Sequence, residues 1–314
     1  MVNTDGRREQ MMSDNSMSAK TVVVTGATAG IGLEAAKEFA RRGARVMITA
    51  RDEAKGEKAV AEITSAGEGR VLVEAVACDF SSISSIRAAA AIIKQRTDRI
   101  DVLLNNAGAV NMERSKSADG LELTFAVNHI GYFVFTDELL DLIKLSAPSR
   151  VVNVASDAHK AARKGVTFDD LERTRGYAGF SVYGETKLMN ILYTRELARR
   201  IAGSGVTVNC LHPGVIASGF GLNNKGFFGW VVSTFGPWVL LKPAQGAQTS
   251  IFLCASPEVE GVTGGYFAKN KIAKTTRFGD DAEAARRLWD ISEAIAGKHT
   301  TYEPVVGTQP PLAS

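Results

Sequence analysis

The sequence predicts an α/β fold in which one doubly wound parallel sheet is flanked by helices, and three observations predict it. Short β-branched runs alternate with helical stretches along most of the chain, the pattern left by strands that cross over through helices. The first run passes directly through a glycine-rich turn into a helix. No period beyond that βα alternation repeats, so the 314 residues read as one domain, although the length alone would also fit two modest ones.

Thr21-Val22-Val23-Val24-Thr25 is a β-branched run, as expected of a strand buried on both faces. Gly26-Ala27-Thr28-Ala29-Gly30-Ile31-Gly32 follows, and then a helical stretch over residues 33–42. Strand, glycine turn and helix in that order form a dinucleotide fingerprint of the Rossmann type. The glycines let backbone approach a pyrophosphate, and the helix N-terminus supplies N–H groups and a partial positive charge. Gly26, Thr28, Gly30, Ile31 and Gly32 are therefore candidate cofactor contacts; the alternative is a tight turn with no ligand. The second strand, residues 44–49, runs into Ala50-Arg51, with Lys55 close behind. An NAD site places a carboxylate about 20 residues beyond the glycines to bond the ribose hydroxyls. A guanidinium in its place suits a 2′-phosphate. NADP(H) is the expected cofactor, held by Arg51 and Lys55, with NAD(H) the alternative if Arg51 is a plain surface residue.

Residues 71–77 form the third strand and end at Cys78-Asp79. Asp79 either meets the adenine or caps the helix that begins near Ser82 and runs to 97. The fourth strand, 100–104, enters Asn105-Asn106-Ala107-Gly108. Asparagine at a strand end can tie neighbouring backbones, and Ala-Gly lets a ribose come close, so Asn106, Ala107 and Gly108 join the cofactor set. Residues 121–145 read as one long amphipathic helix with Asn128 in its interior, a position that propensity disfavours and that asks for a buried or catalytic hydrogen bond. Strand 150–155 delivers Ser156 just past its C-terminal end, where open parallel sheets bind ligands. A polar connection, 159–180, leads to a helix carrying Tyr183-Gly184-Glu185-Thr186-Lys187 and continuing to 201. Positions i and i+4 share a helix face. A cation fixed beside a phenol lowers a pKa otherwise near ~10 and suits the phenol to proton transfer. A sixth strand, 206–211, ends at His212-Pro213-Gly214. Helix 244–254, a last strand at 265–268 and an amphipathic helix bearing Arg286, Arg287 and Trp289 complete the alternation.

Residues 215–242 are irregular and rich in aromatics: Phe220, Phe227, Phe228, Trp230, Phe235 and Trp238. They read as a lid over a lipophilic substrate, a reading compatible with a dimer or membrane-surface contact. An apolar fraction of 45% allows a sizeable core, and a net charge of +3 with no compact basic block gives no reason to expect nucleic acid. Cys78, Cys210 and Cys254 are widely spaced and read as buried thiols kept reduced in the cytoplasm. His129, His159 and His212 lack the spacing of a zinc helix and read as structural. Residues 1–18 are polar, without an apolar stretch, and are expected to be a disordered extension that is neither signal peptide nor anchor. Residues 298–314 read as a loose tail, which bounds the domain at 19–297.

These pieces occur together and in order: Thr25-Gly26-x-x-x-Gly30-x-Gly32, Asn105-Asn106-Ala107-Gly108, Asn128, Ser156, Tyr183-x-x-x-Lys187 and His212-Pro213-Gly214. The set resembles a classical short-chain dehydrogenase/reductase. Ala50-Arg51-Asp52-Glu53-Ala54-Lys55-Gly56, the wide spacing from Ser156 to Tyr183, Gly246-Ala247-Gln248-Thr249-Ser250 and Ala285-Arg286-Arg287-Leu288-Trp289 look most like its retinol dehydrogenase-like subgroup. The resemblance implies Tyr183 as general acid/base and Lys187 as the group that tunes it and holds the nicotinamide ribose. It implies Ser156 as hydrogen-bond donor to the substrate oxygen, and Asn128 as holder of a water linking Lys187 to solvent. Pro213 and Gly214 would flank the nicotinamide, and no metal is required. Thr186 stands where Ser is frequent, Ala155 where a second Ser is common, and Ala29 removes one frequent NADP contact, which leaves Arg51 to carry that assignment. Ser218 is the one hydroxyl offered after Pro213-Gly214.

The implied activity is NADP(H)-linked interconversion of a carbonyl and an alcohol on a hydrophobic small molecule, retinoid-, steroid- or otherwise lipid-like. The alternatives are C=C reduction of the protochlorophyllide-reductase type, with a cysteine drawn from Cys210 or Cys254, and a dinucleotide-binding sensor or scaffold without turnover. A homodimer or homotetramer through the helix at 121–145 and the Tyr183 helix is expected by the same resemblance.

Overall fold

The computed structural model describes residues 16–214 and 242–297. The calls on residues 1–15, the lid with its aromatics and Ser218, and the tail all lie outside that range. The strands are β1 (Thr21–Val24), β2 (Arg45–Ala50), β3 (Val73–Ala77), β4 (Val102–Asn105), β5 (Ser149–Val154), β6 (Val206–His212), β7 (Tyr266–Ala268) and β8 (Lys271–Ile272). They form one sheet in the order β3-β2-β1-β4-β5-β6-β7-β8. All neighbours are parallel except β7 and β8, which pair antiparallel. The order reverses between β1 and β4, and a doubly wound sheet opens its ligand crevice at that point, beyond the carboxyl ends of the strands. The two-residue β8 is too short for a pattern of its own and has no counterpart in the sequence reading.

Alternation along β1 separates two cores. Val23 faces a layer made by α3 (Ile83–Arg96), α4 (Gly131–Leu145), α5 (Gly179–Arg200) and α7 (Ala282–Ile295). Val22 and Val24 face the opposite layer, with α1 (Gly30–Arg41), α2 (Glu53–Ala66) and α6 (Gln248–Ala255). Successive strand residues point to opposite faces, and a strand apolar throughout fills both.

Three local features depart from the predicted elements. Residues 121–145 are not a single α-helix: a short turn at Leu123–Phe125 passes into a π-helical turn at Ala126–Ile130 before α4 begins. Buried Glu122 caps that start, its carboxylate accepting from the backbone N–H groups of Thr124 (2.9 Å) and Phe125 (2.7 Å). Met17, assigned to the disordered extension, is buried in the α1 core, and its N–H donates to the Arg42 carbonyl at 2.9 Å. The fold therefore begins before residue 18. Finally, α7 lies over α4 and α5, its Trp289 ring 5.0 Å from that of Phe133 and 6.0 Å from that of Tyr193. A dimer through those two helices would have to include α7 or displace it.

Among the described residues, no helix is long and apolar enough to cross a membrane.

Candidate active site

The glycine turn is built as a cradle. Gly26 (φ +66) and Gly30 (φ +63) hold the left-handed backbone that glycine tolerates. A Cβ on Gly26 would lie 2.7 Å from the Ala107 Cα, and one on Gly32 would lie 2.5 Å from Asn106 Nδ2. Asn106 and the Thr25 hydroxyl lace the turn to the end of β4. The Asn106 carboxamide donates to the carbonyls of Thr25 (2.9 Å) and Gly26 (3.1 Å), and the N–H groups of Asn106 and Ala107 donate to Thr25 Oγ1 at 2.8 and 2.9 Å. Among the described residues no side chain caps α1, and no acidic residue stands in its first turn, so the partial positive charge of its N-terminal N–H groups is left uncancelled. Thr28 and Ile31 sit half-buried on the same turn. This backbone fits a dinucleotide pyrophosphate.

Around it the predicted contacts divide. Arg51 and Lys55 are exposed at the end of β2 and the start of α2, and among the described residues neither side chain is engaged in an ion pair or hydrogen bond. Both are thus available to a phosphate. Asp79 does not cap α3, which Ser82 caps by accepting from the Ser85 N–H. Its Oδ1 instead accepts from the N–H (2.9 Å) and hydroxyl (2.8 Å) of Ser81, a local turn at the end of β3. Asn105 is also structural: its Nδ2 donates to Thr136 Oγ1 (2.8 Å) and to Asn153 Oδ1 (2.9 Å) in the sheet interior.

The catalytic candidates come together at the ends of β4, β5 and α5. Ser156 follows β5 and caps a 3-10 turn, Asp157–Ala161, its hydroxyl accepting from the Ala158 N–H at 3.1 Å. Tyr183 on α5 is hydrogen-bonded to Ser156. Gly184 permits that approach, because a Cβ there would lie 2.5 Å from the Ala158 carbonyl oxygen. One turn along α5, buried Lys187 donates to the Val154 carbonyl at 3.0 Å, its Nζ 5.5 Å from the centre of the Tyr183 ring. Gly108 crosses above: a Cβ there would lie 3.3 Å from Asn128 Oδ1 and 3.6 Å from Lys187 Nζ. The cofactor loop and the catalytic groups therefore share one floor.

Asn128, in the π turn, is fully buried and clamps the loop to the helix. Its Oδ1 accepts from the Ala109 N–H (2.8 Å), and its Nδ2 donates to the Ala109 carbonyl (2.8 Å) and to Thr186 Oγ1 (3.0 Å). Helices spend π turns where a side chain must be re-aimed, often at functional sites. Pro213 and Gly214 end the described stretch after β6, Gly214 at φ +92.

Burial governs the electrostatics of the pair. Burial pushes the Tyr183 phenol up to about 12, against the hydrogen bond from Ser156 that pulls it down. Burial pushes Lys187 down to about 7. The low-dielectric floor disfavours the charged form of each.

One contributor escaped the sequence reading. Fully buried Tyr132 lies behind Lys187, its ring centre 5.8 Å from the Nζ. His212, read as structural, has its Nδ1 accepting from the Asp157 N–H at 3.1 Å and so holds the Ser156 turn. No spacing rule marks such contacts, because they bridge elements far apart in sequence.

The short chain dehydrogenase family profile matches residues 20–168. The chain is 41% identical to human retinol dehydrogenase 14 over 302 residues, covering 90% of this chain and 87% of that protein. It is 42% identical to human retinol dehydrogenase 13 over 307 residues, covering 95% and 90%. Among solved structures, an uncharacterised protein from Mycobacterium paratuberculosis superposes with a TM-score of 0.71 at 29% identity, over 90% of this chain and 94% of that one. The Pseudomonas aeruginosa RhlG/NADP active-site complex superposes with a TM-score of 0.64 at 26% identity, over 81% and 96%.

Proposed function

The chain belongs to the short-chain dehydrogenase/reductase family, in its retinol dehydrogenase-like subgroup, and we propose that within it the protein is an NADP(H)-dependent oxidoreductase interconverting a carbonyl and an alcohol on a hydrophobic small molecule. The observation that carries this reading is the meeting of Ser156, Tyr183 and Lys187 beside a glycine cradle whose backbone fits a dinucleotide.

When bound, the nicotinamide supplies or accepts the hydride. The chain's own groups handle the proton and the position. Burial keeps Tyr183 protonated at neutral pH, ready to donate to a carbonyl oxygen. The Ser156 hydroxyl, beside it, donates a second hydrogen bond and fixes where that oxygen sits. Lys187, close to the point of half-protonation near neutrality, returns a proton to the phenol after turnover, and Asn128 at the same floor is the candidate holder of the water that connects Lys187 to solvent. The exposed apolar side chains of Met112 and Phe180 support a lipophilic substrate. Phe180 lies beside the tyrosine, the ring centres 6.3 Å apart, and Met112 packs one turn earlier on α5, where a Cβ on Gly179 would lie 2.7 Å from its Cα.

The C=C reductase alternative finds little support, because Cys210 lies buried in β6 and Cys254 in α6, both pushed upward by burial and away from reactivity. Three buried free thiols are consistent with a cytoplasmic setting.

The cofactor assignment is tested by fluorescence titration of NADPH and NADH on wild type and on Arg51→Ala. Loss of a charge-assisted contact to the 2′-phosphate weakens NADPH about tenfold or more and leaves NADH unchanged. Equal binding of both dinucleotides by wild type would overturn it.

A further inference from the structure

We propose that His159 is a positioning residue for Ser156, a neutral double clamp that fixes the serine carbonyl and ties it to the turn that follows β8. The proposal rests on the reading of Ser156 as the group that orients the substrate oxygen.

His159 is fully buried three residues beyond Ser156, and both ring nitrogens are committed. Nδ1 lies 2.7 Å from the Ser156 carbonyl oxygen, which only accepts, so Nδ1 carries the proton and donates. Nε2 lies 3.3 Å from the Thr276 backbone nitrogen, which only donates, so Nε2 accepts. Two main-chain groups from different parts of the fold therefore select one neutral tautomer. A protonated ring would set its second N–H against the Thr276 N–H and lose that bond.

The surroundings hold the ring in that state. The Tyr266 ring packs edge-on at 5.3 Å and 72°, and its hydroxyl donates to Asp157 Oδ1 at 3.0 Å. Asp157 Oδ2 accepts from Lys160 at 2.9 Å, and the Asp157 N–H donates to His212 at 3.1 Å. Burial pushes His159 below its usual value; Lys160 and Arg195 push the same way, while the Ser156 carbonyl and Asp157 oppose them. Thr276 opens a short turn anchored to α5 through the ion pair of Arg195 with Asp280 at 2.7 Å. The serine is thus referenced, through His159, to the same helix that bears Tyr183. A misplacement of about 1 Å in such a site costs up to about a hundredfold in rate.

The test compares two isosteric halves of the imidazole. His159→Asn offers an amide donor at the Nδ1 position and keeps the Ser156 bond; His159→Gln offers an acceptor at the Nε2 position and keeps the Thr276 bond. Each is assayed as holoenzyme with NADPH and decanal, with NADPH affinity and the urea midpoint measured in parallel. Each variant keeps one half of the clamp and is expected to lose about tenfold or more in kcat at unchanged NADPH affinity. A kcat within about threefold of wild type for either variant, or losses that track the urea midpoint, would overturn the clamp. A second readout stands apart from turnover: nitrogen-detected NMR of the wild-type histidines between pH 5 and 8 should show His159 with its proton on Nδ1 throughout. A proton on Nε2 would sink the proposal even in an active enzyme. Wild type inert toward decanal with that tautomer in place would instead count against the assigned reaction and leave the clamp supported.

Discussion

The two ends of the crevice are built by opposite means. At the β1–α1 end the contacts are main chain and the residues that matter are the ones with the least side chain: Gly26 and Gly32 leave space that a Cβ would fill at 2.7 and 2.5 Å. At the β5–α5 end side chains carry the proposed chemistry, Tyr183 and Lys187 each held where burial opposes its charged form. Backbone recognition suits a ligand that is always the same, while side-chain recognition suits a step in which a proton must move.

The largest expected effect separates the two ends directly. Tyr183→Phe should lower turnover by about a thousandfold or more while leaving NADPH affinity within about twofold, since it removes the proton donor and nothing from the cradle. Surviving turnover would mean that the acid lies elsewhere. Gly26→Ala should do the converse. The added methyl meets Ala107 at a φ of +66, which costs about 1–3 kcal/mol of folding stability and weakens NADPH by about a hundredfold, read by urea unfolding and fluorescence titration. Unchanged affinity there would mean that the cradle is not the pyrophosphate site.

A smaller effect sharpens the contrast, because the catalytic layer titrates. His129, in the π turn, bonds Ser292 of α7 at 2.9 Å, and burial pushes it down to about 3 from an ordinary 6.5, partly opposed by Asn190. Below the ordinary value the unfolded chain takes up a proton that the folded chain refuses, so stability falls as pH drops through that window, by about 1.4 kcal/mol per pH unit. Between pH 7.5 and 5 wild type should lose about 2 kcal/mol more than His129→Gln in urea unfolding. Parallel pH profiles for the two proteins would show that the penalty is not carried by this ring.

Most of the architecture was legible because parallel strands buried on both faces announce themselves as β-branched runs, and because the glycine turn and the Tyr183–Lys187 pair are local patterns. What stayed illegible is long-range. Nothing in Ala126–Ile130 marks a π turn in preference to an α turn; the extra residue is absorbed because Asn128 must reach Ala109 and Thr186 at once. The Tyr183–Lys187 spacing likewise carries no information on how dry the floor is. Asp79 was placed at the correct strand end, yet its choice of Ser81 over a helix cap depended on Ser82 taking that cap.

The position of α7 bears on the order in which the molecule can assemble. A ribosome releases the N-terminal part first, and β1, α1, β2 and the Asn106–Ala107 lacing are all complete once the chain has reached residue 107. The catalytic layer must wait for its last helix, because Trp289 and Ser292 cover Phe133, Tyr193 and His129. A nascent chain can therefore finish its glycine cradle while the aromatic side of α4 and α5 is still open to solvent or to a chaperone.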